Sequence, residues 1–411
     1  MMRDASSVVK LAVLATHPIQ YQVPVWRALA SRENVILCVF YGSDIGARTY
    51  RDVEFGRDIK WDVPITSGYP HVFLSRNPSV QSITPWRPGA SGLLKKLREF
   101  GPDVLLFNAY GGRFWIEALL AGRTLGLPVI LRHEASDCAV RRSRVKGWLR
   151  TLVLRAFYGQ ISGFPVIGIA AREHLLRCGV QVGMIGRAPY NVDSDFFISE
   201  AARWLPQRAR LRSKLGISES DVTMLFSGKL ISKKGPNLIV AAMRRLPPEI
   251  LRRLHWCVVG DGELRAQLQK EAHELFGDRA HFAGFVNQRE LGQWYAVADF
   301  LVLPSLAGRG ETWGLVVNEA FHFGLPAIVS NGVGCQPDLV PDERFGRVFE
   351  SGNAGDLALA IWQLVDELPR RRSVYAAATR TAIEQFSTAR AADGILEVAR
   401  RVVRLKRMHS Q

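Results

Sequence analysis

The sequence predicts an α/β protein with two Rossmann-like domains that face each other across a cleft, followed by C-terminal helices. Short apolar runs alternate with amphipathic stretches along most of the chain, which is typical of βαβ units around a parallel sheet. This alternation loosens around Asp195–Leu215 into polar, Arg-rich sequence and then restarts. The length of 411 residues fits about two or three domains, and 47% apolar residues suffice for sizeable cores.

The first half of the chain contains five apolar runs that we predict as strands. The first run resembles the apolar part of a secretion signal, but Lys10 interrupts it, so a buried strand is the simpler interpretation. The predicted strands are Val8–Ala15, Val35–Tyr41, Val104–Phe107, Val129–Leu131 and Phe164–Ile167. Helical patterns lie between them at Val23–Ser31, Gly92–Phe100, Phe114–Leu125 and Val145–Tyr158. No apolar run approaches the length that a membrane-spanning helix needs.

The second half repeats this alternation and ends in three helical patterns, which begin at about residues 353, 370 and 388. The sequence therefore predicts an N-terminal domain over residues 1–195, a C-terminal domain over 196–387, and a final helix over 388–411 that returns to the N-terminal domain. The predicted strands are Val222–Ser227, His255–Val259, His281–Ala283, Phe300–Leu303, Ala327–Ser330 and Gly346–Phe349. Helices are predicted at Pro236–Arg245, Glu263–Phe276, Gln288–Val297 and Gly314–Phe323.

Positive charge is in excess in both halves of the chain. The 54 Lys and Arg residues exceed the 38 Asp and Glu residues, which gives a formal charge of +16. Arg supplies most of the excess, and its planar group of donors suits phosphate and carboxylate recognition. Nucleotides, nucleic acids and anionic lipid surfaces are all compatible with this charge, which does not choose among them.

The five cysteines are scattered, odd in number, and without metal-ligand spacing. They indicate neither zinc nor a disulfide framework, and a reducing cytoplasm is the simpler setting.

A lysine cluster follows the predicted strand Val222–Ser227. Gly228 permits close backbone approach, Pro236 suits the first position of a helix, and Lys229, Lys233 and Lys234 lie between them. Lysines at a helix N-terminus are unfavourable because they oppose the helix dipole. Their presence is explained if an anion binds among them and to the helix amides. The segment therefore indicates phosphate binding, with a solvated basic loop as the alternative.

Two glutamates flank the predicted start of the helix after Phe300–Leu303. Glu311 precedes this helix and Glu319 lies within it, eight residues later, which corresponds to roughly 12 Å in helical geometry. That separation suits two carboxylates that hold hydroxyl groups on either side of a diphosphate, with the helix amides facing the phosphates. The alternative is an exposed helix carboxylate and a favourable acid in a first turn.

In this segment the sequence resembles the GT-B glycosyltransferases of family 4, which transfer a sugar from a nucleotide donor with retention of configuration. The E-x7-E hallmark of that family is reproduced by Glu311 and Glu319 in the frame E-x-x-G-L-x-x-x-E-A. Val258–Leu268 and His281–Ser305 are similar to the segments that precede the hallmark. The resemblance is specific over residues 222–340.

The resemblance implies roles for individual residues. Glu319 would hold the donor ribose and Glu311 the donor sugar, while Lys229 and Lys234 would neutralise the charge of the leaving group. The catalytic residues would be Glu311, His133 and Lys234. The donor-binding set would be Gly228, Lys229, Lys234, Phe285, Val286, Glu311, Thr312, Trp313, Gly314, Leu315 and Glu319, with Phe285 and Val286 at the nucleotide base.

In the N-terminal half, the resemblance places His133 beside the donor sugar, although a lone histidine is more often structural. His17, Gln20 and Asn191 are the predicted acceptor-binding residues. The departures from the family pattern are His17-Pro18 in place of a glycine pair, Lys229 in place of Arg, and Asp338 in place of Glu. Asp193–Ser194–Asp195 spells D-x-D, a metal signature of a different glycosyltransferase fold, but its interdomain position argues against a metal site.

The sequence thus predicts a retaining glycosyltransferase of the hexosyltransferase type that needs neither metal nor cofactor. Its substrates would be a nucleotide-diphosphate sugar and a lipid-linked or saccharide-linked acceptor, as in the assembly of cell-surface polysaccharide or glycolipid. The alternatives are a GT-B nucleotide-sugar epimerase or hydrolase and, from another class, a basic nucleic-acid-binding protein, for which no motif is visible.

The stretch Arg141–Arg155 is both basic and apolar, with Trp148, Leu149, Leu152, Val153 and Leu154 among its arginines. Such a helix either lies on an anionic membrane or packs its apolar face on the domain. The first interpretation places the protein in the cytoplasm, peripherally on the inner face of the membrane.

Overall fold

The computed structural model describes residues 8–52, 54, 56–77, 82–137 and 144–409. Two parallel sheets form the centres of two α/β domains, as the sequence predicts. Their strands carry apolar side chains on both faces, because helices cover each sheet on both sides.

The N-terminal sheet has the strand order β5-β2-β1-β6-β7. Its central strand β1, Val9–Ala15, is the run that also resembles a secretion signal. The strands of this half are β1 Val9–Ala15, β2 Val35–Tyr41, β3 Tyr50–Asp52, β4 Arg57–Ile59, β5 His71–Phe73, β6 Val104–Phe107, β7 Val129–Leu131, β8 Phe164–Val166 and β9 Ile185–Arg187. The helices are α1 Val23–Ala30, α2 Leu93–Phe100, α3 Arg113–Thr124, α4 Arg144–Tyr158 and α5 Ile169–Arg177.

The C-terminal sheet has the strand order β12-β11-β10-β13-β14-β15. In this half the strands are β10 Val222–Ser227, β11 Leu254–Val259, β12 Ala280–Gly284, β13 Phe300–Leu303, β14 Ala327–Ser330 and β15 Gly346–Phe349. The helices are α6 Ser194–Trp204, α7 Arg208–Lys214, α8 Pro236–Met243, α9 Pro248–Arg253, α10 Arg265–Phe276, α11 Gln288–Val297, α12 Leu315–His322, α13 Gln336–Leu339, α14 Ala354–Ile383 and α15 Thr388–His409. Short 3-10 turns lie at Val182–Met184, Leu205–Gln207, Ser232–Lys234, Gly277–Arg279 and Glu384–Phe386.

The helices differ from expectation in two places. The polar stretch after Asp195, where no helix is predicted, contains α6 and α7, and the Asp193 carboxylate caps α6 by accepting from the Phe196 amide at 3.2 Å. The break expected near residue 370 does not exist, since α14 continues past Pro369. Buried Leu368 and Tyr375 on either side of that proline hold both parts of the helix against the core.

The final helix α15 packs on the N-terminal domain although it follows the C-terminal one. Ala391, Ile395 and Val398 are buried in one cluster with β1 side chains, and Asp393 forms an ion pair with Arg32 at 2.6 Å. Glycines permit this close packing, because a Cβ at Gly394 would meet the Arg187 carbonyl oxygen at 1.9 Å. The chain therefore crosses between the domains twice. In the described part of the chain, no helix is both long and apolar enough to span a membrane.

Candidate active site

The lysine cluster lies at the carboxyl edge of the C-terminal sheet, where β10 ends. The Gly228 amide donates to the Val259 carbonyl at 2.9 Å, which joins the loops after β10 and β11. Lys233 and Lys234 follow in a 3-10 turn, and Gly235 has a φ of +66° in front of α8. A Cβ at Gly235 would meet the Pro304 carbonyl oxygen at 2.4 Å, so this glycine brings the lysine turn against the loop after β13.

That second loop places Glu311 beside the lysines. Lys234 forms an ion pair with Glu311, and the Ser305 hydroxyl donates to the same carboxylate at 3.0 Å. Ser305 is held in turn by the Ser330 hydroxyl, which donates to its carbonyl at 2.5 Å. The structure thus brings together two of the predicted catalytic residues, Glu311 and Lys234.

Helix α12 begins at Leu315, after Gly314 with its φ of +110°. The expectation of helical spacing between Glu311 and Glu319 is therefore wrong for its first half, because the glycine-rich loop 308–314 is not helical. In the chain, the amides at the start of α12 lie between Glu311 and Glu319, and an anion bound to them would benefit from the helix dipole.

Glu319 is a buried carboxyl group with one hydrogen-bond donor. The Tyr295 hydroxyl donates to it at 2.5 Å, and the residue is 9% exposed. Burial raises the pKa of Glu319 to about 7, although the hydrogen bond from Tyr295 favours the charged form. Tyr295, which the sequence did not single out, is thus part of this site.

Carboxylates of the N-terminal domain meet the lysine cluster across the cleft. Lys229 lies 3.0 Å from Asp52 and 2.7 Å from Glu54, and Lys233 lies 2.9 Å from Glu54. Burial lowers the pKa of Lys229, but hydrogen bonds to Glu54 and Asp52 outweigh it and raise that pKa. These acidic residues, in the β3–β4 hairpin, occupy the position that the resemblance assigns to the donor diphosphate.

The predicted base site is also covered by the N-terminal domain. The Phe285 ring has the Trp61 ring at 6.4 Å and the Arg57 guanidinium at 5.0 Å. Nearby, the Asn287 side chain donates to the Lys60 carbonyl at 2.9 Å. The neighbouring Val286 is half-buried, and it packs against the core.

Trp313 joins the donor loop to the N-terminal domain. Its indole donates to Asn318 at 2.8 Å, and the Asn318 amide donates to the Tyr190 carbonyl at 2.9 Å. The Tyr190 and Trp313 rings meet edge to face at 5.9 Å. Thr312, just before Trp313, is half-buried.

A cavity of about 160 Å³ reaches from the first loop of the N-terminal domain to α12. Gln20 and Tyr21 line one side, and Leu315 and Glu319 line the other. The cavity thus brings one predicted acceptor residue, Gln20, to a predicted donor residue. His17 lies in the same loop, hydrogen-bonded to Thr16 at 2.9 Å, and burial lowers its pKa to about 4.

The other N-terminal candidates are fully buried. His133 pairs with the Tyr158 hydroxyl at 2.8 Å and stacks on His174, and burial lowers the pKa of His133 to about 3. Asn191 donates to Val192 and to the Thr388 hydroxyl at 3.2 Å, which ties the interdomain turn to α15. These contacts are structural, and the catalytic and acceptor roles of the two residues remain predictions.

In the described ranges, no group of three or more His, Cys, Asp or Glu side chains is placed to hold a metal ion. Asp193, in the D-x-D triplet, caps α6. The cysteines at 38, 178, 257 and 335 are buried and form no disulfide with one another, and Cys138 lies outside the described residues.

Comparison with known proteins points to one group. Residues 207–381 match the family described as Glycosyl transferases group 1. The chain is 30% identical over 228 residues to a D-inositol 3-phosphate glycosyltransferase of Xylanimonas cellulosilytica, covering 55% of this chain and 54% of that protein. It is 26% identical to a sulfoquinovosyl transferase of Arabidopsis thaliana, covering 72% of this chain and 56% of that one. The chain thus spans about half the length of these curated relatives.

Solved structures resemble nearly the whole chain. Anabaena HepE in complex with UDP and glucose superposes with a TM-score of 0.65 at 16% identity, covering 95% of this chain and 98% of that one. The sucrose-phosphate synthase of Thermosynechococcus elongatus gives 0.68 at 19% identity, covering 96% and 99%. At such low identity the likeness establishes the fold, which is the GT-B fold of two facing α/β domains.

Proposed function

We propose that this protein is a retaining glycosyltransferase of family 4 that moves a sugar from a nucleotide-diphosphate donor to an acceptor hydroxyl without a metal ion. The main observation behind this proposal is the ion pair between Lys234 and Glu311 in the loop before α12. Glu319 is buried within α12, four residues after the helix begins. The match to the group 1 family over residues 207–381 supports this assignment. Its relatives' names describe transfer of glycosyl or sulfoquinovosyl groups.

In this mechanism the donor lies across the start of α12. The ribose hydroxyls donate to Glu319, and the sugar hydroxyls donate to Glu311. The diphosphate accepts from the amides at 313–315 and from Lys229 and Lys234. For this, Lys229 must leave Asp52 and Glu54, so the diphosphate exchanges with the hairpin carboxylates.

The bond between the anomeric carbon and the diphosphate oxygen breaks as the acceptor oxygen approaches from the same face of the sugar. The acceptor proton passes to the departing phosphate oxygen, so no protein carboxylate has to act as nucleophile. The lysines stabilise the negative charge that develops on the leaving group, which is electrostatic stabilisation of the transition state.

The first experiment is a screen of nucleotide sugars with the full-length protein, followed by transfer assays with the donor that binds. Glu319→Ala and Lys234→Ala should abolish transfer and leave the circular dichroism spectrum unchanged. Proton NMR of the product should show the anomeric configuration of the donor, and EDTA should not reduce the rate. Full activity in both variants would refute the assignment.

An epimerase or hydrolase would use the same donor site without an acceptor. Incubating the protein with nucleotide sugar alone separates these activities, because a transferase should convert little donor until an acceptor is added. Rapid acceptor-independent conversion would favour the alternative.

An exposed apolar surface on α4 supports the proposal of a lipid-linked acceptor. Trp148 and Val153 are 62% and 69% exposed, and Leu149 and Leu152 are also exposed, while Leu154 is buried. The helix therefore turns four apolar side chains outward, although part of the predicted stretch, 141–143, lies outside the described residues. Apolar side chains on a basic helix are the pattern of anionic membrane binding, and we include such binding in the proposal.

In a cosedimentation assay, the protein should pellet with vesicles of phosphatidylcholine and phosphatidylglycerol. A smaller fraction of the protein should pellet with vesicles of pure phosphatidylcholine. The double variant Leu149→Glu, Val153→Glu should stay in the supernatant. Val182→Glu is the matched control, because Val182 is 61% exposed but lies outside α4. If the wild-type protein does not bind anionic vesicles, the proposal of membrane binding is wrong, and the proposal of glycosyl transfer is unaffected.

A further inference from the structure

Buried polar atoms without hydrogen-bond partners are concentrated where three neighbouring strands of the N-terminal sheet end. Gln20 follows β1, Asn108 follows β6, and Arg132 and Glu134 follow β7. In the described part of the chain, the unpartnered atoms include Gln20 Oε1, Asn108 Oδ1, Arg132 Nε and Nη1, and Glu134 Oε1. Such atoms are costly, since each has lost water without gaining a partner.

The position of these atoms is one that the fold reserves for ligands. In the strand order β5-β2-β1-β6-β7, the chain moves outward in one direction from β1 through β2 and in the other direction through β6. Parallel sheets bind ligands outside the carboxyl ends of the strands at such a reversal point. The loops after β1 and β6 flank it here.

Tyr190 joins Arg132 and Glu134, and the Asn108 amide donates at 3.3 Å to Gln22 Oε1, in the loop that also carries Gln20. The Tyr190 hydroxyl donates to Glu134 Oε2 at 3.1 Å, and the Arg132 guanidinium lies 5.3 Å from the Tyr190 ring centre. The Tyr21 ring meets Tyr190 at 5.6 Å. Arg132 is 1% exposed, and its shortest hydrogen bond, to the Pro189 carbonyl, is a long one of 3.4 Å. A buried guanidinium with so few partners is normally a strong destabilising element.

Tyr190 also places the cluster against the donor side of the cleft. Its ring touches Trp313 at 5.9 Å, and its carbonyl accepts from Asn318 on α12 at 2.9 Å. A molecule held by the cluster would therefore lie one aromatic ring away from the start of α12. That is the side from which an acceptor has to approach the donor sugar.

The chemistry of the unpartnered atoms specifies the ligand. Three are oxygens that accept hydrogen bonds, at Gln20, Asn108 and Glu134, and two are donor nitrogens of Arg132. A phosphate offers chiefly acceptors, and its negative charge would be repelled by the Glu134 carboxylate. An apolar alcohol has a single hydroxyl group and would leave most of these atoms without a partner. A ring with several hydroxyl groups satisfies both kinds, because each hydroxyl donates one hydrogen bond and accepts others.

We propose that this polyol cluster (Gln20, Asn108, Arg132, Glu134 and Tyr190) binds the acceptor through the hydroxyl groups of an uncharged ring, a sugar or a cyclitol. This inference rests on the proposed function, because the cluster is assigned to the acceptor of that reaction. It adds the polar side chains of residues 108, 132, 134 and 190 to the acceptor residues that the sequence suggested.

The test uses saturation-transfer NMR with the full-length protein in the presence of UDP. The neutral probes are methyl α-D-glucopyranoside, methyl α-D-mannopyranoside, methyl α-D-galactopyranoside and myo-inositol, and the anionic probes are glucuronate and glucose 6-phosphate. At least one neutral ring should bind, and more tightly than either anion. Glu134→Gln should weaken that binding about ten-fold or more, since it replaces an acceptor oxygen with a donor.

Gln20→Leu, at a half-exposed position, provides a second variant in case Glu134→Gln folds poorly, and it should also weaken ring binding. Glu200→Gln is the matched control, because Glu200 is a buried carboxylate that accepts from Trp204 at 2.8 Å on α6. UDP binding should be unchanged in all three variants, which separates this inference from the donor assignment.

The inference is overturned if no neutral ring binds to protein that binds UDP, or if an anionic probe binds more tightly than every neutral ring. It is also overturned if correctly folded Glu134→Gln and Gln20→Leu proteins bind the rings like wild type, or if Glu200→Gln weakens them as much. If the wild-type protein binds none of UDP, GDP and ADP, that result would instead count against the proposed function.

Discussion

Replacing Glu319 with Gln should stabilise the ligand-free protein at alkaline pH while weakening its binding of nucleotide. Burial raises the pKa of this carboxyl group from 4.5 to about 7. The folded protein therefore holds the proton more tightly than the unfolded chain does. The stabilisation that results is fully present below pH 4.5 and is lost as the pH rises through about 7.

The pKa difference of about 2.5 corresponds to about 3 kcal/mol of unfolding free energy at about pH 8. Gln cannot ionise and can still accept the hydrogen bond from Tyr295. Glu319→Gln should therefore raise the unfolding free energy by up to about 3 kcal/mol at about pH 8, and by less than about 1 kcal/mol at about pH 5. The same substitution should lower the affinity for nucleoside diphosphate about ten-fold or more, because the ribose hydroxyls lose a charged acceptor.

The assay is urea unfolding of wild type and variant at both pH values, with calorimetric titration of UDP alongside. Glu200→Gln is the control, since this buried carboxylate has an ion pair with Arg203 at 3.5 Å and its replacement should give no gain in stability. A Glu319→Gln protein that is less stable than wild type at about pH 8, or equally stabilised at both pH values, would refute the reasoning.

Further variants test other contacts of the site. Tyr295→Phe removes the hydroxyl that favours the ionised form of Glu319, so the pH midpoint of nucleotide binding should rise, and an unchanged midpoint in a calorimetric pH series would contradict this. Asp52→Asn with Glu54→Gln releases Lys229 and Lys233, so UDP should bind about two- to five-fold more tightly, and weaker binding would show that the hairpin assists the donor. Asp299→Asn should cost about 3–5 kcal/mol in urea unfolding, because this buried carboxylate accepts from Arg208, Arg212 and Arg372, and a loss below about 1 kcal/mol would contradict its structural importance.

The central strands of both sheets were predictable because they are buried on both faces. Val222–Ser227 and Phe300–Leu303 are largely apolar runs, and the structure gives both strands the predicted bounds. The three-residue strands β3, β4 and β5 escaped prediction, because they are short and partly exposed at the edge of the domain. Three residues are too few to show the alternation of apolar and polar side chains by which a strand is recognised.

Helices α6 and α7 escaped for a different reason. They lie in a polar stretch that becomes Arg-rich in α7, yet Arg212 of α7 is buried and donates to Asp299, Thr223 and the Val297 carbonyl. Burial of arginine depends on a partner that is distant in the chain, here 87 residues away. Composition alone therefore predicts the wrong environment.

The proximity of Lys234 and Glu311 was predictable, because both belong to local patterns around two strand ends. What remained hidden was brought there by tertiary contact. Asp52 reaches Lys229 across a separation of 177 residues, and no signal in the sequence marks that pairing. The polyol cluster was hidden similarly, although Arg132 and Glu134 flank His133, which the resemblance did single out.

The most direct test of the central claim is calorimetric titration of UDP, GDP and ADP into the full-length protein, without added metal and with EDTA present. We predict that one of the three binds, and that Lys234→Ala reduces its affinity about ten-fold or more, as expected for the loss of a charge-assisted hydrogen bond to phosphate. Binding of none of the three nucleotides, or equal binding by a folded Lys234→Ala protein, would contradict the claim that the cleft is a nucleotide-sugar site.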